Sequence, residues 1–474
     1  MASSLSDSGN ALLIRGAEIL VTMDTTRLEI RGGSILLQGN TIARIGSDAE
    51  VAQWVAGAAG RSPDRTIDAS GCVILPGLIN CHHHLFQSLT RTIGTAQGRS
   101  LFEWLQLLYP VWAEMDPDAV YVSAKTTLAE LALSGATTVS DHLYLFPNGV
   151  RLDDEIRAAT ELGVRFHATR GSMSLGESKG GLPPDRVVQS DETILNDCQR
   201  VIEAFHDPRR NAMLRIGLAP CSPFSVTEDL MRETSRLSRS HRAVGLHTHL
   251  AETLEETRFC LQKFGQRPLD YAESVGWLEA RSWFAHMVHI EAAEIDRIAR
   301  AGAGVCHCPT SNMILGSGIA PVRRMLDRGV HVALGVDGSA SNGGNQMLGE
   351  VRQTMLLQRV VEQEPTAKGL SARTALELAT RGGAAVLGRD DIGVLEPGKA
   401  ADLVAFRVDD LEHAGSLFDP VAALVTCAPT RAWLSVINGR VVVENGNLVG
   451  VDLRSLVDLH NRFAETMLRR ARLA

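Results

Sequence analysis

Apolar strand-like segments alternate with amphipathic helical segments through the middle of the chain, and no other feature limits the possible folds as much. The strand candidates are a segment that ends at residue 80 and the segments 137–140, 165–169, 214–218, 243–249, 283–286, 304–308 and 330–336. Helical patterns between them, such as 118–133 and 255–264, are long enough to connect parallel strands. This alternation predicts an α/β fold with a (β/α)8 TIM-type barrel at residues 76–390.

Both ends of the chain have a different, all-β pattern. Residues 11–75 contain short strand-like segments separated by turns, and residues 402–407 and 432–444 return to strands, with a hairpin turn at Asn438-Gly439. We therefore expect a smaller, discontinuous β-sandwich domain built from residues 1–75 and 391–474. A final helix is predicted at residues 453–473.

Composition and charge exclude several classes of protein. The 474 residues are 45% hydrophobic and 22% charged, which is typical of a globular protein. Lys and Arg (47) against Asp and Glu (55) give a net charge of −8 without a basic block, so we expect no nucleic-acid partner. Eight cysteines without disulfide-framework spacing favour a reducing cytoplasm. No signal-peptide pattern and no long apolar run are present, so we expect a soluble cytoplasmic protein without membrane contact.

The strongest local motif follows the first barrel strand and reads PGLINCHHH at residues 76–84. Because side chains alternate along a strand, His82 and His84 share one face and His83 lies on the other. Two imidazoles that face inward at the C-terminal mouth of a barrel favour a metal site. The alternative is that these histidines only cap the strand.

A second motif, LHTHLAE at residues 246–252, ends the fifth strand candidate. His249 lies at the strand tip and Glu252 in the loop above it, which suits a metal ligand beside a proton shuttle. His247 shares the face of His249 but lies about 7 Å deeper, at about 3.3 Å per residue, which favours a supporting role. The alternative for Glu252 is a solvated loop carboxylate.

Two further polar residues end barrel strands: His286 ends the sixth and Asp337 the eighth. Either one alone could be a hydrogen-bonded polar group of the core. With the first two motifs they predict imidazoles and a carboxylate that converge on a divalent cation and leave a position open for water.

Six motifs in this order strongly resemble the amidohydrolase superfamily: PGLINCHHHLFQ, HTHLAE, FAH at 284–286, CPTSN at 308–312, GVDGSASN at 335–342 and GKAADL at 398–403. The resemblance covers about residues 12–450 and indicates the cytosine/guanine deaminase and chlorohydrolase-type branch. Urease-type members carry a bridging lysine on the fourth strand, whereas this chain has LAPC at 218–221. One metal ion, rather than two, is therefore implied.

The resemblance implies one divalent metal per chain, zinc first and iron as the alternative, bound by four side chains: His82, His84, His249 and Asp337. It leaves Glu252 and His286 as catalytic groups beside Asp337. The cation would lower the pKa of its water, Asp337 would take the proton and His286 would hydrogen-bond the nucleophile. Glu252 would protonate a ring nitrogen and then the departing amine.

Four residues are candidates for substrate binding. Gln87 follows His84 by three residues, and its amide can pair with the lactam edge of a heterocycle; an exposed loop amide is the alternative. Trp104 and Tyr144 could stack on a flat ring or belong to the core. Cys221, at the mouth of the fourth strand, could contact the substrate or only pack.

Segments 141–147, 170–176 and 219–225 resemble 8-oxoguanine deaminases and their hydroxyatrazine-hydrolase neighbours. The implied reaction is the hydrolytic deamination of 8-oxoguanine at C2, which yields urate and ammonia. The alternatives are a guanine, pterin or s-triazine aminohydrolase or chlorohydrolase with the same metal.

Two remoter alternatives belong to other classes. A non-enzymatic scaffold member of the superfamily is disfavoured because every expected metal position is filled. A redox protein that uses Cys306-His307-Cys308 is disfavoured because two cysteines on one strand face favour packing. A homo-oligomer is expected by default for a barrel of this kind.

Overall fold

A computed structural model of the protein describes residues 10–57, 62–363 and 369–472. Its strands, in chain order, are β1 (Ala11–Val21), β2 (Glu29–Gln38), β3 (Thr41–Ser47), β4 (Arg65–Asp68), β5 (Cys72–Pro76), β6 (Leu78–Asn80), β7 (Ala136–Leu143), β8 (Arg165–Ser172), β9 (Leu214–Pro220), β10 (Gly245–Leu250), β11 (Ser282–His286), β12 (Gly304–His307), β13 (His331–Leu334), β14 (Leu403–Arg407), β15 (Leu434–Ile437), β16 (Arg440–Glu444) and β17 (Asn447–Leu448).

The α-helices, in chain order, are α1 (Asp48–Gly57), α2 (Leu101–Trp112), α3 (Pro117–Leu133), α4 (Leu152–Leu162), α5 (Asp191–Phe205), α6 (Glu228–Ser240), α7 (Leu254–Phe264), α8 (Pro268–Ser274), α9 (Ala292–Ala301), α10 (Pro309–Ile314), α11 (Val322–Asp327), α12 (Ser339–Asn342), α13 (Met347–Glu362), α14 (Ala372–Glu377), α15 (Gly383–Val386), α16 (Pro420–Thr426) and α17 (Leu453–Arg470). Short 3-10 segments lie at Leu85–Thr90, Gly94–Ala96, Glu177–Lys179, Asp185–Val187 and Leu411–His413, and a π turn at Leu378–Gly382 joins α14 to α15. Within the described residues no helix is long and apolar enough to cross a membrane.

Strands β6–β13 form the barrel. In the described part of the chain these eight strands pair in parallel and in chain order. The backbone N–H of Cys81, just after β6, donates to the carbonyl of Leu334 in β13 at 2.9 Å, which brings the first and last strands together. Leu250 pairs with His286 across β10 and β11, so the ends of these two strands lie at the same level. The predicted (β/α)8 barrel is confirmed.

A separate mixed sheet contains the strands from both chain ends. Its order is β17-β16-β15-β14-β5-β1-β2-β3, with β4 beside β1. The two ends of the chain meet where β14 pairs antiparallel with β5, with Leu403 opposite Pro76. Ile14, Ile35 and Val436 belong to a core of its own. The smaller domain is thus discontinuous, while its proposed boundaries at residues 75 and 390 stay a prediction.

Some local elements differ from the sequence-based expectation. Helix α1 was not predicted, because Val51 is its one fully buried side chain and a single buried residue gives no apolar stripe. The predicted turn at Asn438-Gly439 is present, with φ of 52° and 80° between β15 and β16. The polar stretch 1–9, in which no signal pattern was found, lies outside the described residues, as does position 473 of the predicted final helix.

A buried ion pair joins the barrel to the small sheet. Arg165, the first residue of β8, donates from Nε and from a terminal nitrogen to the carboxylate of Asp402 at 2.7 and 2.9 Å. The Asp402 carboxylate also accepts from the backbone N–H of Asn438 at 2.7 Å. The side chains of Arg165 and Asp402 are 0% and 2% exposed, so neither charge has water as an alternative partner.

Replacing Asp402 with Asn should therefore lower the free energy of unfolding by about 3–5 kcal/mol, because it leaves the Arg165 guanidinium buried without a counter-charge. Urea denaturation followed by circular dichroism measures this change. Glu233→Gln removes one partner of the exposed Arg236–Glu233 pair on α6 and should cost less than about 1 kcal/mol. Equal destabilisation by both substitutions would contradict this role for the buried pair.

Candidate metal centre and its cavity

Buried histidines and one aspartate meet at the C-terminal ends of the barrel strands. In the described part of the chain, two sets of side chains can hold a metal ion, each with its ligand atoms within 4.8 Å of one another: His82, His84, His142 and His249, and His82, His286 and Asp337. The structure thus brings the four predicted ligands together. His83 points elsewhere, with its Nε2 2.8 Å from Asn345 Oδ1.

The imidazoles of His84 and His249 face each other through nitrogen atoms that both carry lone pairs. His84 Nδ1 donates to the carbonyl of His142 at 2.8 Å, and His249 Nδ1 donates to the carbonyl of Cys221 at 2.7 Å. Because burial lowers the pKa of both imidazoles, each ring is neutral and its Nε2 has no proton. The two Nε2 atoms are nonetheless only 3.0 Å apart. Two acceptors at this distance suit a shared cation, so the residues fit a metal ion.

His82 is held in the same tautomer by a second imidazole. His247 Nδ1 donates to the carbonyl of Trp283 at 2.9 Å, which leaves His247 Nε2 to accept from His82 Nδ1 at 2.7 Å. His82 Nε2 is buried and has no hydrogen-bond partner among the described residues. His247 therefore orients His82, as its deeper position in the strand predicted.

Asp337 supplies the negative charge of the cluster. Its Oδ1 lies 3.3 Å from Nε2 of both His82 and His84. Its Oδ2 accepts from the Ser311 hydroxyl at 2.7 Å, and the Gly338 N–H donates to Oδ1 at 2.6 Å. These two hydrogen bonds stabilise the anionic form of Asp337. Asp337 is therefore an anionic ligand candidate.

His286 and Glu252 lie beside this cluster. Asn312 Nδ2 donates to His286 Nδ1 at 2.9 Å, which places the ring proton on Nε2. That nitrogen lies 3.6 Å from Glu252 Oε2 and 3.9 Å from Asp337 Oδ2. His286 and Asp337 have φ of 74° and 64°, a left-handed backbone that non-glycine residues rarely adopt and that is concentrated at functional sites.

Glu252 is a buried carboxyl group held in the neutral form. Burial, followed by the nearby charge of Asp337, raises its pKa well above the ordinary value. The Ser317 hydroxyl donates to Glu252 Oε1 at 3.3 Å. Its surroundings therefore favour the protonated form of Glu252, whereas the Asp337 anion can accept a proton.

The turn that carries Glu252 is fixed by helix α7. Glu256, one turn into that helix, accepts from the backbone N–H groups of Ala251 and Glu252 at 2.9 and 2.8 Å. Thr253 caps the helix by accepting from the Glu256 N–H at 3.3 Å. Glu252 itself is only 4% exposed, so the alternative of a solvated loop carboxylate does not apply.

A cavity opens beside the cluster. The four predicted substrate residues all line it: Gln87, Trp104, Tyr144 and Cys221. Apolar side chains such as Leu105 and Phe224 line it together with the ionisable groups of the cluster.

Gln87 is buried rather than an exposed loop amide. Its Nε2 donates to the Tyr144 hydroxyl at 3.3 Å, and its Oε1 has no partner in the described part of the chain. A Cβ atom at Gly338 would lie 1.9 Å from that Oε1, so any other residue there would displace the Gln87 amide. Gly338 thus couples the position of the Gln87 amide to the turn after Asp337.

The cysteines behave as packing groups. Burial raises the pKa of the Cys221 thiol to about 12, so Cys221 is a neutral thiol at the cavity wall. All eight cysteines, which lie within the described residues, are free. Cys306 and Cys308 are buried and belong to neither of the candidate metal groups.

Two residues at the site are not predicted from the sequence. His142, near the end of β7, stacks on His249 with ring centroids 4.9 Å apart and donates from Nε2 to the Ala219 carbonyl at 2.8 Å. Its position at a strand end was the available signal. Tyr109 lines the cavity from α2, and nothing in a helical pattern distinguishes it from core.

Comparison with known proteins gives concordant matches. The model of the amidohydrolase family matches residues 73–443. An 8-oxoguanine deaminase of Pseudomonas aeruginosa is 46% identical over 443 residues, which cover 93% of this chain and 96% of that protein. A hydroxydechloroatrazine ethylaminohydrolase of Pseudomonas sp. strain ADP is 36% identical, over 97% of this chain and 95% of that protein. The crystal structure of an atrazine chlorohydrolase from Arthrobacter aurescens TC1 complexed with zinc has a TM-score of 0.90 and 36% identity, over 96% and 100% of the two chains.

Replacing His249 with Asn should abolish stoichiometric metal binding, because it removes one of the two opposed Nε2 lone pairs. Elemental analysis after gel filtration would then give well below the content of about one divalent ion per wild-type chain. His307→Asn is the matched control: His307 is also buried, at the end of β12, but belongs to neither candidate metal group among the described residues. Unchanged metal content in the His249 variant would exclude this histidine as a ligand.

Proposed function

The chain belongs to the amidohydrolase family, and on this premise we propose that it hydrolytically deaminates 8-oxoguanine to urate and ammonia. The protein is a hydrolase that acts on C–N bonds, in a family of metal-dependent deaminases. One observation carries the proposal: a buried, neutral Glu252 carboxyl lies beside the converging Nε2 atoms and anionic Asp337, in a cavity lined by Gln87.

The proposed cofactor is one divalent cation, zinc in the first place, held by His82, His84, His249 and Asp337. When bound, such a cation supplies an activated water and polarises the substrate carbon that the water attacks. Iron is the alternative, because imidazole and carboxylate ligands suit both metals.

In the first half of the proposed mechanism, Glu252 acts as the general acid and Asp337 acts as the general base. Glu252 donates its proton to the ring nitrogen beside C2, while Asp337 Oδ2 takes a proton from the attacking water. His286 donates from Nε2 to the water oxygen and orients it.

The second half of the reaction restores both carboxyl groups. Asp337 passes its proton to the amine, which leaves as ammonia; the resemblance implied Glu252 for this step, but Glu252 has already given its proton to the ring nitrogen. The ionised Glu252 takes the proton of the new C2 hydroxyl. A C2 carbonyl results, and both side chains regain their starting protonation states.

Gln87 supports a lactam-bearing substrate. Because its Nε2 already donates to Tyr144, its buried Oε1 is left to accept from a ligand N–H. A lactam N–H beside the reacting carbon, present in guanine and 8-oxoguanine, meets this requirement. The 46% identity to an 8-oxoguanine deaminase favours the second base.

An s-triazine hydrolase is the second candidate. The fold similarity to the atrazine chlorohydrolase and the 36% identity to the ethylaminohydrolase favour it. Both candidates use the same metal ligands and Glu252, so they differ only in the fit of the heterocycle to the cavity.

Replacing Glu252 with Gln should leave the metal content unchanged and lower kcat by about a hundredfold to ten-thousandfold, since the amide cannot transfer a proton. Steady-state ammonia release and elemental analysis of the same preparation measure both quantities. Glu291→Gln, at an exposed carboxylate before α9, should match the wild type. A Glu252 variant with wild-type kcat would exclude Glu252 as the proton donor.

A substrate panel tests the choice of heterocycle. We expect kcat/KM for ammonia release to be highest with 8-oxoguanine in a comparison with guanine, isoxanthopterin and cytosine. Turnover of hydroxyatrazine is measured by the release of its alkylamine. Faster turnover of hydroxyatrazine would favour the triazine candidate and leave the proposed proton transfers intact.

A further inference from the structure

The hydroxyl group of Tyr109 is a buried hydrogen-bonding group without a partner at the wall of the active-site cavity. Tyr109 is fully buried on α2, which also contributes Trp104 to that wall. Its hydroxyl oxygen has no hydrogen-bond partner among the described residues. Leaving a buried hydroxyl unpaired costs free energy, and a ligand in the cavity that accepts a hydrogen bond from Tyr109 would remove this cost.

Tyr109 lies farther from the metal cluster than the other tyrosine of the cavity. The ring of Tyr144 is 5.0 Å from that of His84, and its hydroxyl already accepts from Gln87. The ring of Tyr109 contacts Trp112, at 6.0 Å, and no ring contact joins it to a histidine in the described part of the chain. Tyr109 therefore lines a part of the cavity that lies away from the histidine rings.

In the proposed substrate, a carbonyl group lies at the end of the molecule that is remote from the reacting carbon. The reacting C2 of 8-oxoguanine belongs to the six-membered ring, whereas the C8 carbonyl belongs to the fused five-membered ring on the other side. Guanine has C8–H there and no oxygen, and its N7 carries a lone pair where 8-oxoguanine has an N7–H. A carbonyl oxygen only accepts hydrogen bonds, and the neutral phenol of a buried tyrosine can donate one.

On the basis of the proposed function, we propose that Tyr109 determines specificity by donating a hydrogen bond to the C8 carbonyl oxygen of 8-oxoguanine. Burial raises the pKa of Tyr109 well above its ordinary value, which keeps the donor protonated over the working pH range. A base without this oxygen would leave the hydroxyl unpaired, and the site would discriminate against it.

The test is Tyr109→Phe, which removes the hydroxyl and keeps the ring. We expect kcat/KM for 8-oxoguanine to fall by about tenfold to hundredfold, while the value for guanine changes by less than about threefold. The ratio of the two values is the informative quantity, because a loss of folded or metal-loaded enzyme lowers both equally.

Tyr271→Phe is the matched control. Tyr271 is also buried and its hydroxyl also lacks a partner in the described residues, but it stacks on Phe264, at 4.3 Å, and does not line the cavity. This variant should leave the substrate ratio unchanged. Tyr144→Phe removes the hydroxyl that holds Gln87 and should lower turnover of both bases, which share the lactam edge.

Product binding gives a readout that does not depend on turnover. Urate carries the C8 carbonyl and xanthine does not, so Tyr109→Phe should weaken inhibition by urate by about tenfold or more and leave inhibition by xanthine unchanged. Equal effects on both products, or on both substrates, would reduce Tyr109 to a structural residue and overturn the proposal. Absence of an effect would overturn it as well.

The wild-type enzyme separates this proposal from the proposed function. If it deaminates neither 8-oxoguanine nor guanine, the proposed function is wrong, and the assignment of Tyr109 falls with it. If it deaminates 8-oxoguanine and Tyr109→Phe keeps the wild-type preference over guanine, only the assignment of Tyr109 is wrong.

Discussion

Hydrogen bonds from histidine Nδ1 atoms to backbone carbonyls fix the chemistry of the centre. His84, His249 and His247 donate to the carbonyls of His142, Cys221 and Trp283, which belong to or directly follow neighbouring strands. The strand register of the barrel positions these carbonyls, so it also decides which nitrogen of each ring keeps a lone pair. Because the lone pairs converge in a water-poor interior, a positive charge among them would stabilise the arrangement.

The same interior favours different protonation states for two carboxyl groups of similar intrinsic acidity. Asp337 lies among imidazoles and accepts hydrogen bonds from Ser311 and Gly338, so its anion is stabilised. Among the described residues Glu252 accepts a hydrogen bond from Ser317, and burial together with the charge of Asp337 raises its pKa and favours its protonated form. An acid and a base are thus available at one pH because their surroundings differ.

The motifs of the sequence predicted the residues that end barrel strands, because the period of a strand and its position in a barrel are local properties. Alternation along the strand after Asn80 correctly separated His83 from its neighbours. The role of Glu256 was not predictable in this way, because its contacts with the Ala251 and Glu252 N–H groups depend on a tight turn. His142 and Tyr109 reach the site through the closure of the barrel and the packing of α2 across its mouth.

The sequence by itself determined the fold class, the strand ends that carry ligand-type side chains and the resemblance to a hydrolase family, since these depend on local periodicity and short motifs. Only the tertiary structure decided which ring nitrogens are free, which carboxyl is protonated and which hydroxyl at the cavity wall has no partner. These properties depend on distances between residues far apart in the chain and on the exclusion of water around them. Neither quantity exists until the barrel has closed.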